Sequence, residues 1–151
     1  MKNMKRLFLL TPLLLCLLYC NKDDDNCNIS RNTLDNLIVE ELSIECFPED
    51  ENQTNFIIQS EAEFQNTFQI LSTCILPVVD FDQFTLLGIR SGASGCSRAY
   101  QTYVKKEGDD FSYILRVKEC GGCEPWVVQI HWVTVPKIPE IANVSFTVER
   151  L

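Results

Sequence analysis

Hydrophobic and polar positions follow different rhythms along this chain, and each change of rhythm marks a new part. Leu7 to Tyr19 is an apolar run of thirteen residues, interrupted by Thr11 and Pro12, behind a basic start at Lys2, Lys5 and Arg6. A run of that length fits the apolar region of a secretory signal and falls short of the ~20 residues that cross a bilayer as a helix. At Cys20 the chain turns polar, and Asn21 to about Thr33 has the composition of a solvated tether. Periodic segments begin near Leu34. Leu37 to Cys46 fits a strand or a short helix, and Pro48 to Thr54 reads as a loop. Phe56-Ile57-Ile58 reads as a short buried strand. Ser60-Glu61-Ala62-Glu63 is a capping box, in which Ser60 accepts from the Glu63 amide and Glu63 reaches back. It predicts a helix to about Leu71, with Phe64, Phe68 and Leu71 on its core face, ending before Pro77.

The remainder reads as strands. Phe84 to Arg90 is almost continuously apolar, as a central strand is, and Ser91 to Gly95 reads as a small-residue loop. Arg98–Lys106 and Phe111–Lys118 flank Glu107-Gly108-Asp109-Asp110, a hairpin turn. Phe111, Tyr113, Leu115 and Val117 alternate with more polar residues, the period of a half-buried strand. Trp126, Val128, Ile130 and Trp132 alternate with Val127, Gln129, His131 and Val133 in the next strand. Pro136 and Pro139 bracket a turn, and Val144, Phe146 and Val148 mark the last strand. The pattern predicts a β-rich α+β domain over 34–151. It would be a mainly antiparallel sheet or sandwich of about five or six strands, with one helix near residues 61–71.

Without residues 1–19, 132 of the 151 residues remain, enough for one domain and a tether. Removing the three basic residues of that segment leaves ten basic against 21 acidic, a net charge of −11. Such a field repels nucleic acid, which is excluded as a partner, and anionic lipid. Beyond Cys16 and Cys20, the six cysteines are Cys27, Cys46, Cys74, Cys96, Cys120 and Cys123. An even number in an exported domain reads as disulfides, with fifteen possible connectivities. Centring the hairpin on Gly108 brings Cys96 almost opposite Cys120, so that Cys96 is within easy reach of Cys120 or Cys123.

Cys120-Gly121-Gly122-Cys123 carries two further readings. A thioredoxin-like redox pair needs a helix N-terminus in a βαβ unit, whereas this motif lies between two strands. A zinc site needs more ligands, for which Cys96 and His131 are the nearest candidates. His131 is the single histidine and reads as a surface or packing residue of its strand. Asp80 and Asp82 are explained as well by turn chemistry as by an acid/base pair. Tyr100 and Tyr103 lie on opposite faces of one strand, which leaves one of them for a binding surface. No catalytic constellation emerges, no cofactor or metal is implied, and the domain reads as non-enzymatic.

Two resemblances bear on function. The start of the chain, closing on Cys20-Asn21-Lys22-Asp23-Asp24-Asp25, resembles a bacterial lipoprotein signal, with Cys20 as the acylated first residue of the mature protein. Leu17 fits the pattern before the cysteine and the bulky Tyr19 departs from it, whereas processing at Cys16 would leave an apolar mature start. The acidic run also resembles a surface-export tract of Gram-negative lipoproteins. This implies lipid anchoring in the outer membrane or at the cell surface. Acyl anchors contribute about 0.8 kcal/mol per buried methylene, so several chains hold a protein firmly. Second, the segments Ile58–Phe64, Pro77–Phe81, Leu86–Gly88, Val133–Lys137 and Val144–Phe146 together resemble the C-terminal domain of the PrcB protease-complex stability factors. Where that family has a Gly-Gly-aromatic turn, this chain has Gly92-Ala93-Ser94-Gly95-Cys96-Ser97. The resemblance implies a small exported β-rich module that binds or stabilises a protein partner, such as a protease. The alternatives are a thiol redox or zinc protein using Cys120 and Cys123, and a glycan- or ligand-binding surface module with an exposed aromatic patch.

Overall fold

The computed structural model describes residues 27–30, 36–68, 75–122 and 126–151. Seven strands and one helix follow one another as β1 (Glu40–Leu42), β2 (Asn55–Ile58), α1 (Glu61–Phe68), β3 (Phe84–Ala93), β4 (Ser97–Glu107), β5 (Asp110–Cys120), β6 (Val127–Pro136) and β7 (Val144–Arg150). They form two sheets. The first is antiparallel in the order β1-β6-β3-β2, and the second runs β4-β5-β7. The β-rich α+β reading therefore holds.

The sequence chemistry accounts for the local elements. At α1 the Glu63 amide donates to Ser60 Oγ at 3.2 Å, and Glu63 Oε2 accepts from the Gln59 amide at 2.7 Å. This is the reach-back of a capping box, displaced by one residue. Phe64 and Phe68 are buried as predicted, whereas Leu71 lies outside the described residues. The β4–β5 hairpin closes on Gly108 and Asp109, with Glu107 paired to Asp110 and Gly108 at φ +66°. That positive φ is the conformation a tight two-residue turn demands, and glycine adopts it without strain. Asp80 and Asp82 resolve as turn chemistry. Asp80 Oδ1 accepts from the Asp82 amide at 3.0 Å, and its carbonyl accepts from the amide of Phe84 at 2.9 Å.

Two sequence readings are corrected. Ser91 to Ala93 is no loop but the end of β3, paired with Gln129 to Val127 of β6. Small residues are needed there because the Trp126 indole lies against Gly92, where a Cβ would stand 2.2 Å from a ring carbon. Phe56-Ile57-Ile58 is an edge strand with Ile57 exposed, not a fully buried one. The last strand joins the second sheet in parallel with β5, Phe111 beside Val144 and Val117 beside Arg150. Alternation specifies which residues face inward and carries no information on strand direction.

The layers are α1, the first sheet and the second sheet. Odd-numbered residues of β3 and β6 (Leu87, Ile89, Val133, Val135) meet Val104, Tyr113, Leu115 and Val117 of the second sheet. Even-numbered Leu86 and Trp132 face α1 and pack with Phe56, Phe64 and Phe68. Tyr113 ties the sheets across the core, donating its hydroxyl to the His131 carbonyl at 2.9 Å. Trp132 sits with Phe56 and Phe68 at ring-centroid distances of 5.0 and 5.5 Å and lies over Gly88. A Cβ at Gly88 would stand 2.3 Å from that ring, which the two phenylalanines hold in place. Gly88→Ala is expected to lower stability by about 2–3 kcal/mol, the upper range for overpacking a core. Urea denaturation of the two proteins checks it, and an unchanged midpoint would contradict the packing described.

Candidate functional site

Three features stand out: a disulfide at one end of the sandwich, a cleft beside β6, and an exposed tryptophan at the start of that strand.

Cys27 is bonded to Cys120, with Cα atoms 5.8 Å apart and a sequence separation of 93. Ile29 beside it is buried, and Lys118 Nζ donates to the Asn28 carbonyl at 3.1 Å. The stretch read as a tether is thus fastened to the end of β5 within its length. Cys120 does not pair with Cys96. The register sets Ser97 opposite Cys120, and Cys96 lies beyond it, its amide donating to the Cys120 carbonyl at 2.8 Å. Nor is Cys120 half of a Cys-x-x-Cys disulfide; its sulfur is taken by Cys27 at a strand end. Cys46 and Cys96 are disulfide-bonded as well, and their partner cysteines lie outside the described residues. So do Cys20, Cys74 and Cys123.

The cleft follows from an early parting of strands. β1 pairs with β6 through three residues, ending at Leu42 opposite Trp132. Extending that register would set Ser43 opposite His131 and Glu45 opposite Gln129. Instead a cavity of about 610 Å³ runs between Ser43–Phe47 and Gln129–Trp132. Thr102 of β4 closes one wall, donating its hydroxyl to Glu41 Oε1. His131 is half-buried, stacked on Tyr100 at 4.4 Å between ring centroids, with the Gln129 amide 3.0 Å from its Nε2. Burial pulls its pKa down to about 4, against a smaller upward pull from the Glu41 carboxylate. Hydroxyl and imidazole are directed to different partners, so the pair is not arranged as nucleophile and base. Among the described residues no cluster of three His, Cys, Asp or Glu side chains could hold a metal ion.

The exposed aromatics are not tyrosines but Trp126 and, at the cleft, Phe47. Tyr103 is buried beneath the Arg116 guanidinium at 5.1 Å, and Tyr100 is half-buried against His131. Trp126 is 60% exposed and continues into exposed Val127 and Val128. Arg150 lies 5.8 Å from its ring centroid, and bonds Glu119 at 2.9 Å and the Gly92 carbonyl at 2.8 Å. Opposite these residues β6 has β3 on one side. On its other side Val127 to His131 has no strand partner among the described residues. The alternation of β6 was legible; that half of it would be uncovered was not, because coverage depends on where β1 departs.

Family models, curated proteins and solved structures were compared with the chain, and none matches. Among the described residues no helix is long and apolar enough to cross a membrane.

Two outcomes are expected. Replacing both Cys27 and Cys120 by alanine should cost about 4.7 kcal/mol, the loop-entropy value for a closed loop of roughly this size. A loss under about 1 kcal/mol in urea denaturation would show that the bond constrains little. For His131 the folded pKa lies below the unfolded value of about 6.5, so the unfolded chain takes up the proton first. Its contribution is therefore complete above about pH 6.5 and is lost as pH falls toward 4, about 2 kcal/mol between roughly pH 7.5 and 4.5. Denaturation midpoints across that range should fall less steeply in His131→Gln, and parallel profiles would contradict the assignment.

Proposed function

We propose that the chain is a lipid-anchored, non-enzymatic binding module of the Gram-negative cell envelope, held at the outer membrane through Cys20 and engaging a protein partner. What carries this reading is the open half of β6, where Trp126, Val127 and Val128 expose contiguous apolar surface beside a strand edge that has no partner among the described residues. Solitary exposed apolar residues are ordinary, whereas such a group beside an open edge is a feature natural proteins usually blunt. The signal-like start and the disulfides support an exported location. Its resemblance to the PrcB domain favours a role in stabilising a protein complex, with a protease as the class of partner. Trp126 also supports a second reading, a carbohydrate-binding face, since sugars stack on exposed indoles that charged groups flank. Arg150 and Glu119 supply those groups.

Photocrosslinking in intact cells separates these readings. With a benzophenone side chain replacing Val128, the anchored protein should give a discrete protein adduct. The same group at Ile141, exposed in the β6–β7 connection at the opposite end of β7 from Arg150, should give none. Cys20→Ala should move the protein from the membrane to the soluble fraction. Absence of an adduct at 128, or Cys20→Ala protein that stays in membranes after a high-salt wash, would overturn the proposal. Retention on immobilised glycans without a protein adduct would favour the carbohydrate reading.

A further inference from the structure

Strand edges are usually disarmed by charge, proline or brevity. The other edges here obey that rule. β2 is four residues long, β7 ends in Glu149 and Arg150, and β4 carries Lys105 and Lys106 and is met by Leu37, whose amide donates to the Val104 carbonyl at 2.9 Å. The free half of β6, Val127-Val128-Gln129-Ile130-His131, carries neither proline nor a charged group near neutral pH. On the side away from β3 it opens, at Gln129 to His131, onto the cleft left by β1. That cavity, about 610 Å³, lies within the ~300–1,000 Å³ typical of ligand clefts. Five residues of strand offer an edge about 17 Å long.

The facing wall is strongly acidic. Between positions 40 and 51 the chain carries Glu40, Glu41, Glu45, Glu49, Asp50 and Glu51, all exposed, and no lysine or arginine. Glu41 and Glu45 line the cleft itself, whose lining includes no cationic side chain. The arginines around the edge are engaged: Arg90, set opposite Ile130 by the β3–β6 register, donates to the Glu51 carbonyl, and at the far end Arg98 donates to the Ala93 carbonyl at 3.1 Å and Arg150 to Glu119 and Gly92.

We propose that this edge and cleft take an extended, lysine- or arginine-bearing segment of a partner protein as an added strand. The segment's main chain would pair with Val127–His131, and Glu41 and Glu45 would face its basic side chains. The proposal rests on the protein-binding reading above and deepens it by naming the mode and the chemistry of the segment. Main-chain pairing supplies affinity in such complexes, and the flanking groups select the sequence.

The probe is an octapeptide alternating lysine and valine, fluorescently labelled, with the oxidised full chain in detergent. It should bind at least tenfold more tightly than the same peptide with glutamate for lysine. It should also exceed, by at least tenfold, a version N-methylated at every residue, which keeps the charges and loses the donors. Bound peptide should slow amide hydrogen exchange at least fivefold at Val128 and Ile130, whose main-chain groups point away from β3. Glu45→Lys, at an exposed position, should weaken binding at least fivefold, whereas Asp109→Lys on the hairpin should leave it within twofold. Equal binding of the N-methylated peptide would reduce the site to electrostatic attraction and overturn strand addition. Equal binding of the glutamate peptide, equal losses in the two charge variants, or protection elsewhere would overturn the assignment of the cleft. A protein adduct from position 128 in cells without peptide binding sinks this mode and leaves the protein-binding reading standing. Peptide binding without a cellular adduct does the reverse.

Discussion

Trp132 and Gly88 decide what the rest of the molecule can be. With no Cβ beneath it, the indole lies flat on β3, and Phe56, Phe64 and Phe68 gather around it to seat α1 and β2 on the first sheet. Close-packed interiors do not deform gradually, so this one approach fixes the position of β6 relative to β3 over its second half. From Trp132 to Val135 both faces of β6 are buried, one toward α1 and one toward the second sheet. Ahead of Trp132 that double cover ends. One strand is thus a core element at one end and an open edge at the other, and the functional reading concerns the open end.

The same division explains the chemistry of the cleft. Tyr113 anchors the His131 carbonyl from the second sheet, and Tyr100 packs on its ring, so the imidazole is held in place and partly desolvated. Desolvation then favours the neutral form at physiological pH. A neutral histidine beside an unpaired strand lets the edge remain uncharged, while the carboxylates stand on the opposite wall. Charge is thereby kept off the pairing edge and placed where it faces an incoming side chain.

How much of this was legible depended on whether the determinant was local. The helix was readable because Ser60, Glu63, Phe64 and Phe68 lie within nine consecutive positions. The hairpin was readable because Gly108 and Asp109 punctuate two alternating runs. The end of β3 was not, since Ser91-Gly92-Ala93 has loop composition and its strand role is imposed by Trp126 from a distant part of the chain. The pairing of Cys27 with Cys120 was one of several open choices; it is decided by how residues 27–29 lie along β5. Of the candidate site, the alternation of β6 and the acidic run from Glu40 were visible. Their arrangement across a cleft was not, because nothing local in Glu41-Leu42-Ser43-Ile44-Glu45 announces that pairing stops at Leu42.

The disulfide gives the proposed anchoring a geometric consequence. Cys27 follows Cys20 by seven positions, a reach of at most about 25 Å for extended chain. Cys120 lies at the end of β5 that also carries Glu119, and Glu119 bonds the Arg150 that covers Trp126 and Gly92. The fastened end of the tether and the open half of β6 therefore share one pole of the sandwich. An acylated Cys20 would hold that pole close to the bilayer, with the connection between β6 and β7 pointing away. Asp23, Asp24 and Asp25 lie within the intervening stretch, and the net charge of −11 that processing at Cys20 would leave would discourage the module from lying down on anionic lipid. A segment able to reach the free edge would thus come from a partner that is itself close to the membrane. Were the module anchored in this way, its uncovered strand would meet such neighbours at high effective concentration, and the strand pairing itself would not need to be tight for a complex to persist.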